Sequence, residues 1–156
     1  METHDMLRKE KERTDTPFLE EVLSQADAVY VGFATEGAPY VLPLNYVYHA
    51  GRIFIHCALE GHKLDLVRRN PLVGFSVVAE AEILREKSTT RYRSVCGTGR
   101  AFLVEDAAAK QEALRLLAQR YAARCTIPAP EKQLARVAIL CIEILEMRGK
   151  QSPGKA

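Results

Sequence analysis

Three strand-like runs follow one another between residues 28 and 58, and only short turns separate them. The runs are "AVYVGFAT" (28–35), "PYVLPLNYVY" (39–48) and "RIFIHCA" (52–58). Short turns join antiparallel strands, because a parallel connection needs a crossover of about a dozen residues or more. The pattern therefore predicts an antiparallel meander. Pro43, inside the second run, cannot donate to a ladder and indicates a bulge or an open edge where a ligand could meet free backbone groups.

The rest of the chain adds further strands and helices. Periodicity predicts three helices, which begin at Thr16–Pro17, cover about 62–70 and span 107–124. It also predicts three more strands, over 72–84, 92–105 and 135–146. Six strands with three short peripheral helices indicate an α+β fold dominated by antiparallel sheet. Hairpin-linked strands of this number usually curl into a small barrel, because closure removes exposed edges.

Length and charge restrict the possible partners. The chain has 156 residues, which predicts one domain, and its net charge of +2 gives no indication of a nucleic-acid partner. No apolar run approaches the roughly 20 residues of a spanning helix, and the N-terminus lacks the apolar core of a signal peptide. We therefore expect a cytoplasmic protein without a membrane partner. Its expected parts are a flexible N-terminal arm (1–15), one domain (16–150) and a short tail (151–156).

The four cysteines are far apart in the chain, at Cys57, Cys96, Cys125 and Cys141. They form no CxxC pair and no Cys/His spacing of a zinc module. We expect four reduced thiols, as is usual under cytosolic redox conditions, and no metal site.

The stretch "IFIHCALEGHKLDLVRRN" (53–70) changes from strand alternation to helical spacing, and polar side chains lie at the change. Alternation places His56 and Cys57 on opposite faces of the strand, so that they cannot hold one metal ion together. Gly61 permits close backbone approach before a helix start, where free N–H groups favour an anion. Lys63 in the first turn opposes the helix dipole unless an anion is near. These local features leave two interpretations of Lys63 open: it belongs to a phosphate site, or it is a solvated surface lysine.

Two segments carry a resemblance to a known family. The runs "YVLPLNYVYHAGRIFIHCALEGHKLDLVRRNP" (40–71) and "RYRSVCGTGRA" (91–101) resemble the nitroimidazole-resistance (Nim) flavoproteins of the pyridoxamine-phosphate-oxidase-like split-barrel superfamily. The matching positions are Pro43, Leu44, Tyr46, Val47, Tyr48, Gly51, His56, Ala58, Gly61, Lys63, Arg68–Asn70, Tyr92–Val95 and Gly149–Lys150.

This resemblance implies a split β-barrel homodimer that binds FMN between its subunits. The same resemblance implies four groups of cofactor-binding residues. Backbone groups of Pro43, Leu44, Asn45 and Tyr46 border the isoalloxazine ring, and His56, Cys57 and Ala58 of the next strand line the site. Gly61, His62 and Lys63 at a helix start meet the ribityl phosphate, and Arg93, Ser94 and Val95 of a later strand close the pocket. His56 is the implied catalytic residue.

The chain departs from the family pattern at two of these positions. Cys57 stands where relatives often carry Ser or Thr, and a thiol is a weaker hydrogen-bond partner than a hydroxyl. Asn45 stands where small residues are common. Pyridoxamine-phosphate oxidase proper is less similar, since it has a C-terminal Arg-Leu-x-Pro element and a nearby tryptophan, whereas this chain has no tryptophan.

Two functions follow as expectations from the resemblance. The first is an FMN-dependent oxidoreductase that reduces small nitroaromatic or related electron-poor compounds, with His56 as proton donor. The alternative is a non-catalytic flavin- or haem-binding protein on the same barrel, because fold resemblance does not separate the two.

Overall fold

The computed structural model describes residues 5–126 and 130–154. The helices in these ranges are α1 (Thr16–Gln25), α2 (His62–Arg69), α3 (Ala107–Tyr121) and the short α4 (Pro130–Gln133). The strands are β1 (Glu12–Arg13), β2 (Val29–Phe33), β3 (Tyr40–Leu44), β4 (Val47–His49), β5 (Arg52–Cys57), β6 (Leu72–Leu84), β7 (Thr89–Leu103) and β8 (Ala138–Ser152).

All strands belong to one antiparallel sheet with the order β3-β2-β6-β7-β8-β5-β4, and β1 is added on β8. β3 and β4 therefore lie at the two ends of the sheet, although only Asn45 and Tyr46 separate them in the chain. Two residues span only about 11 Å between the flanking Cα atoms, so the sheet must curl until its edges approach. Among the described residues, no hydrogen-bonded ladder between β3 and β4 joins the two ends of the curled sheet into a complete barrel. The predicted α+β, antiparallel-dominated barrel is confirmed as an unclosed, split barrel.

The number of strands differs from the predicted six. The run 39–48 is divided, because Tyr46 turns into the barrel interior between β3 and β4. The additional strand is β1, which lies within the predicted N-terminal arm and pairs with Gly149 and Lys150 of β8. Residues 1–4 of that arm, and residues 155–156 of the predicted tail, lie outside the described residues. Ser152 of the predicted tail is the buried last residue of β8.

The main core fills the barrel. Inward-facing apolar residues of the strands pack together, and α1 covers one end of the barrel through Phe18, Leu19, Val22 and Leu23. A second apolar cluster lies on the outer face, where α3 packs on β4, β5 and β8 through Val47, Ala113, Leu114, Leu117 and Ile139. Among the helices of the described ranges, none is long and apolar enough to cross a membrane.

Candidate functional site

A slot opens in the barrel wall between β3 and β5. β4 pairs with β5 only from His49↔Arg52 to Val47↔Phe54, so β5 continues beyond β4 and, among the described residues, has no partner strand on that side. β3 pairs with β2 along one edge, and its other edge has no partner strand in the described ranges. We call this gap the β3–β5 slot. The corner at Asn45–Tyr46 closes one end of the slot, and the start of α2 lies near the other.

Pro43 fixes which backbone groups of β3 face the slot. It lies opposite Tyr30 of β2 and has no N–H, so this pair is a non-hydrogen-bonded pair of the ladder. The polar backbone groups of Pro43, and of Val41 two residues earlier, must then point away from β2. β3 therefore presents carbonyl oxygens and the N–H of Val41 along the slot, in agreement with the open edge that the proline predicted.

Tyr46 is anchored inside the protein. Its side chain is fully buried, and its hydroxyl donates a hydrogen bond to the carbonyl of Leu23 in α1. Its backbone N–H donates to the hydroxyl of Tyr121, 3.0 Å away, and its carbonyl accepts from the same hydroxyl at 3.0 Å. Burial raises the pKa of the Tyr46 hydroxyl. The structure thus places Tyr46 at the end of the slot with its polar groups already engaged.

Sequence reasoning missed Tyr121 as a neighbour of the slot. Its only signal was a four-residue spacing with Ala113 and Leu117, which indicated helix packing. In the structure its hydroxyl also lies 3.1 Å from the carbonyl of Asp27, which accepts a second bond from the side-chain amide of Asn45 at 3.2 Å. Tyr121 therefore joins α3 to the corner that ends β3.

His56 and Cys57 face opposite ways, as the alternation predicted. His56 is exposed on the outer face of β5, where the strand has passed the end of β4, and Cys57 is buried toward the barrel interior. Burial raises the pKa of the Cys57 thiol, and the positive charge of Lys63 partly opposes this shift. Ala58 follows in the exposed turn. In the described part of the chain no group of three or more His, Cys, Asp or Glu is arranged to hold a metal ion.

The start of α2 presents free donors. Gly61 adopts a φ of 147°, which favours glycine, and its carbonyl accepts the N–H groups of Leu64 (3.0 Å) and Asp65 (3.2 Å). Over the described ranges, the N–H groups of His62 and Lys63 have no acceptor. The His62 ring contacts the Tyr40 ring of β3 edge-on, with centroids 4.9 Å apart. This contact holds the first turn of α2 beside β3.

Arg93, Ser94 and Val95 do not reach the slot within one chain. They lie on β7, which β2 and β6 separate from β3, and which β8 separates from β5. The Val95 side chain is buried in the barrel core, and Ser94 points to the outer face of the sheet.

Arg93 is held by groups of its own chain. Its Nη2 donates to Gln25 Oε1 at 2.6 Å, and it forms ion pairs with Glu21 (3.2 Å) and Glu80 (3.4 Å). These contacts tie α1 to the β6–β7 hairpin. A phosphate at this position would have to compete with two carboxylates.

The outer face of the sheet beside the slot has a patch without charged side chains. On this face Tyr30 of β2 lies opposite Ser76 of β6, and Ser76 and Val78 of β6 lie opposite Cys96 and Ser94 of β7. Ten outward residues of β3, β2, β6 and β7 form this patch, which we call the uncharged face: Val41, Pro43, Tyr30, Gly32, Gly74, Ser76, Val78, Ser94, Cys96 and Thr98. Charged residues border it, namely Arg100 further along β7 and Lys150, Arg148 and Glu146 of β8. Val41 is 56% exposed and Tyr30 49% exposed, so the face is open in a single chain. β3 is both the border of this face and one wall of the slot.

Solved structures with the same fold cover most of the chain. A candidate 5-nitroimidazole antibiotic resistance protein from Bacteroides thetaiotaomicron is 25% identical, with a TM-score of 0.76 over 89% of this chain and 85% of that chain. The flavocytochrome Anf3 from Azotobacter vinelandii is 22% identical, with a TM-score of 0.78 over 97% of this chain and 74% of that chain. The FAD and haem binding protein from Mycobacterium smegmatis is 22% identical, with a TM-score of 0.76 over 92% and 74% of the two chains.

Sequence comparison agrees with the fold. No curated protein matches the chain. The sequence model of the family described as pyridoxamine 5'-phosphate oxidase matches residues 16–151, which include every strand but β1, the slot and nearly all of β8. The chain therefore belongs to the pyridoxamine 5'-phosphate oxidase family.

Proposed function

We propose that the β3–β5 slot binds FMN and that the protein is a flavin-dependent oxidoreductase. One observation carries this proposal: an unpaired strand edge and the free N-terminus of α2 lie at the same gap in the barrel. A flavin has a planar ring with hydrogen-bonding edges and a phosphate on a flexible chain. The slot offers a partner for each, namely the backbone groups of β3 and the donors at His62 and Lys63.

The start of α2 is suited to the phosphate. Two unpaired N–H groups and the positive end of the helix dipole favour an anion there. The Lys63 ammonium adds a full positive charge on the same turn. The one acidic residue of this turn, Asp65, is paired with Arg68 at 3.2 Å, so that its charge is partly compensated. The sequence left two interpretations of Lys63 open, and this geometry supports the phosphate site rather than a solvated surface lysine.

In this proposal FMN, in its reduced form, would supply the electrons, and the chain would position the acceptor and provide a proton. His56 is the proton donor because it is exposed at the slot edge of β5. An imidazolium group can act as a general acid and donate a proton to an acceptor such as a nitro oxygen. Cys57, directly beside it, faces the interior with a raised pKa and is not suited to this role.

We also propose that a second copy of the chain completes the site. The uncharged face borders the slot, and it includes Ser94, which the chain's own fold keeps away from the slot. A homodimer built on this face would bury Tyr30, Val41 and Val78 and would bring residues of the partner's β7 toward the slot. A contiguous exposed face without charge is typical of an association surface.

For the substrate we propose a small nitroaromatic or related electron-poor compound. The similarity to a candidate 5-nitroimidazole resistance protein at 25% identity supports this class. A non-catalytic flavin- or haem-binding role is the second candidate, since two of the similar structures are a flavocytochrome and a FAD and haem binding protein. The visible spectrum of the purified protein distinguishes flavin bands from a haem Soret band.

The decisive experiment measures single-turnover oxidation of the reduced, FMN-loaded protein by a nitroimidazole. His56→Ala and His56→Gln should bind FMN within a few-fold of wild type, because the phosphate donors lie on α2. Both variants should react at least about tenfold more slowly, the low end of the benefit of general acid catalysis. Wild-type rates in both variants would exclude His56 as proton donor. A wild-type protein that holds flavin but reduces no nitro compound would favour the binding role.

A further inference from the structure

A cavity of about 400 Å³ lies under α3 on the outer face of the sheet, and the proposed flavin site does not use it. Its floor is formed by Phe54 of β5, Phe102 of β7 and Cys141 of β8, and one wall is the first half of α3. The volume falls in the range of roughly 300–1,000 Å³ that is typical of small-molecule sites.

The sequence of α3 explains why the space is open. The helix begins with three alanines, and Ala109 and Ala113 line the cavity opposite the two phenylalanine rings. The larger apolar side chains of α3 occur only further along the helix, where Leu114 and Leu117 fill the contact with the sheet. The cavity therefore lies where the methyl groups of α3 face aromatic rings, and the Phe102 side chain remains 38% exposed.

The rim of the cavity carries more negative than positive charge. Glu105 has no cationic partner in the described ranges, and Asp106 uses one carboxylate oxygen to cap α3 through the N–H of Ala109 at 2.8 Å. Glu112 is compensated by Arg115 outside the cavity. The two basic groups on the rim are Arg52, which pairs with Glu143 at 3.8 Å, and His49. Asp106 therefore offsets the positive end of α3, and the Glu105 carboxylate remains available to a cation.

We infer that this cavity binds a small organic cation that carries an apolar group. The apolar group would lie between Ala109 and the rings of Phe54 and Phe102, and the ammonium would lie at the Glu105 carboxylate. Aromatic faces add to the attraction for a cation. The inference is independent of the flavin proposal, because none of the residues that it uses belongs to the β3–β5 slot.

Amide NMR titration of the full-length protein tests the inference with three probes of similar shape. They are the cation 2-phenylethylammonium, the neutral 2-phenylethanol and the anion 3-phenylpropionate. The cation should shift amide signals of residues 102–113 and 52–54 saturably, with a Kd in about the millimolar range or tighter, as a ligand of this size allows. The neutral probe should bind more weakly and the anion should not bind.

Three variants locate the site. Ala109→Leu fills the cavity from an exposed helix position and should abolish saturable binding, whereas Ala108→Leu makes the same change one position away, outside the cavity lining, and should bind like wild type. Glu105→Gln should weaken the cation by about two- to fivefold, as expected for one exposed ion pair. Equal binding of the three probes, unchanged binding in Ala109→Leu, or no saturable shift at these residues would overturn the inference.

Discussion

At the scale of single residues, the Tyr121 hydroxyl holds the corner on which the slot depends. It accepts the N–H of Tyr46 and lies within hydrogen-bond distance of the carbonyls of Tyr46 and Asp27. Without this hydroxyl the N–H of Tyr46 would lose its acceptor in a partly buried position. The corner at Asn45–Tyr46 would then lose its link to α3.

Tyr121→Phe should lower the free energy of unfolding by about 1–3 kcal/mol, the usual cost of leaving a buried polar group unsatisfied. Urea denaturation followed by circular dichroism measures the change. Tyr92→Phe is the matched control, because in the described ranges the Tyr92 hydroxyl makes no hydrogen bond, and it should change stability much less. Equal stabilities of wild type and Tyr121→Phe would show that the hydroxyl does not hold the corner.

Some site residues could be placed from the sequence because a local rule fixes them. Strand alternation placed His56 and Cys57 on opposite faces of the strand, and the structure agrees, with His56 outside and Cys57 inside. The position of Arg93 could not be predicted in this way. Its ion pairs join α1, β6 and β7, which are distant in the chain, and no local pattern indicates which carboxylates meet there.

At the scale of elements, the predicted bounds are accurate where a sharp signal ends an element. β6 covers the predicted 72–84, and α2 ends at Arg69, directly before Asn70–Pro71. β8 covers 138–152 rather than the predicted 135–146, because its second half has little apolar alternation. That half is held by ladder pairing with β7 and β1, which a single segment does not reveal.

Close packing of β7 on β8 depends on glycine. A Cβ added at Gly97 would overlap the carbonyl oxygen of Glu146 and lie 2.9 Å from both the Cα of Met147 and the ring of Phe75. The nearest obstacles are backbone atoms of a central strand and a core ring, which cannot easily move aside. Gly97→Ala should therefore disrupt the centre of the sheet.

We expect Gly97→Ala to cost about 1–3 kcal/mol or more of stability, as overpacking does in a well-packed interior. Gly37→Ala is the control, since Gly37 lies in the exposed β2–β3 turn and its added Cβ would meet nothing within 4 Å. Thermal unfolding of the two variants side by side measures the difference. A melting temperature of Gly97→Ala equal to that of Gly37→Ala would contradict the packing described for β7 and β8.

At the scale of the whole molecule, the cysteines report whether the uncharged face is covered. Cys96 lies on that face and is exposed in a single chain, as is Cys125 beyond the end of α3. Cys57 and Cys141 are buried, and burial raises the pKa of Cys141 to about 11 from an ordinary value of 9. A raised thiol pKa lowers the fraction of reactive thiolate at every pH below that pKa. Cys57 and Cys141 should therefore react slowly in a monomer and in a dimer alike.

Alkylation by iodoacetamide at mildly alkaline pH, followed by peptide mass spectrometry, therefore distinguishes monomer from dimer. If the homodimer forms on the uncharged face, Cys125 should react fast while Cys96 is protected. Dilution below the dimer dissociation constant should restore the reaction of Cys96. Fast reaction of Cys96 in a sample that light scattering shows to be dimeric would exclude this face as the interface.

The proposed function depends on FMN binding in the β3–β5 slot with its phosphate at the start of α2. Fluorescence titration of FMN into the apo form of wild type, Lys63→Ala and Lys87→Ala measures this binding. Lys87 lies in the exposed 3₁₀ turn at the tip of the β6–β7 hairpin and serves as the matched control. We expect wild-type affinity for Lys87→Ala and a loss of about 10- to 100-fold for Lys63→Ala, which corresponds to one charge-assisted contact of about 1.5–3 kcal/mol. Equal dissociation constants for the three proteins would exclude Lys63 from the phosphate site, and no FMN binding by wild type would exclude the flavin site itself.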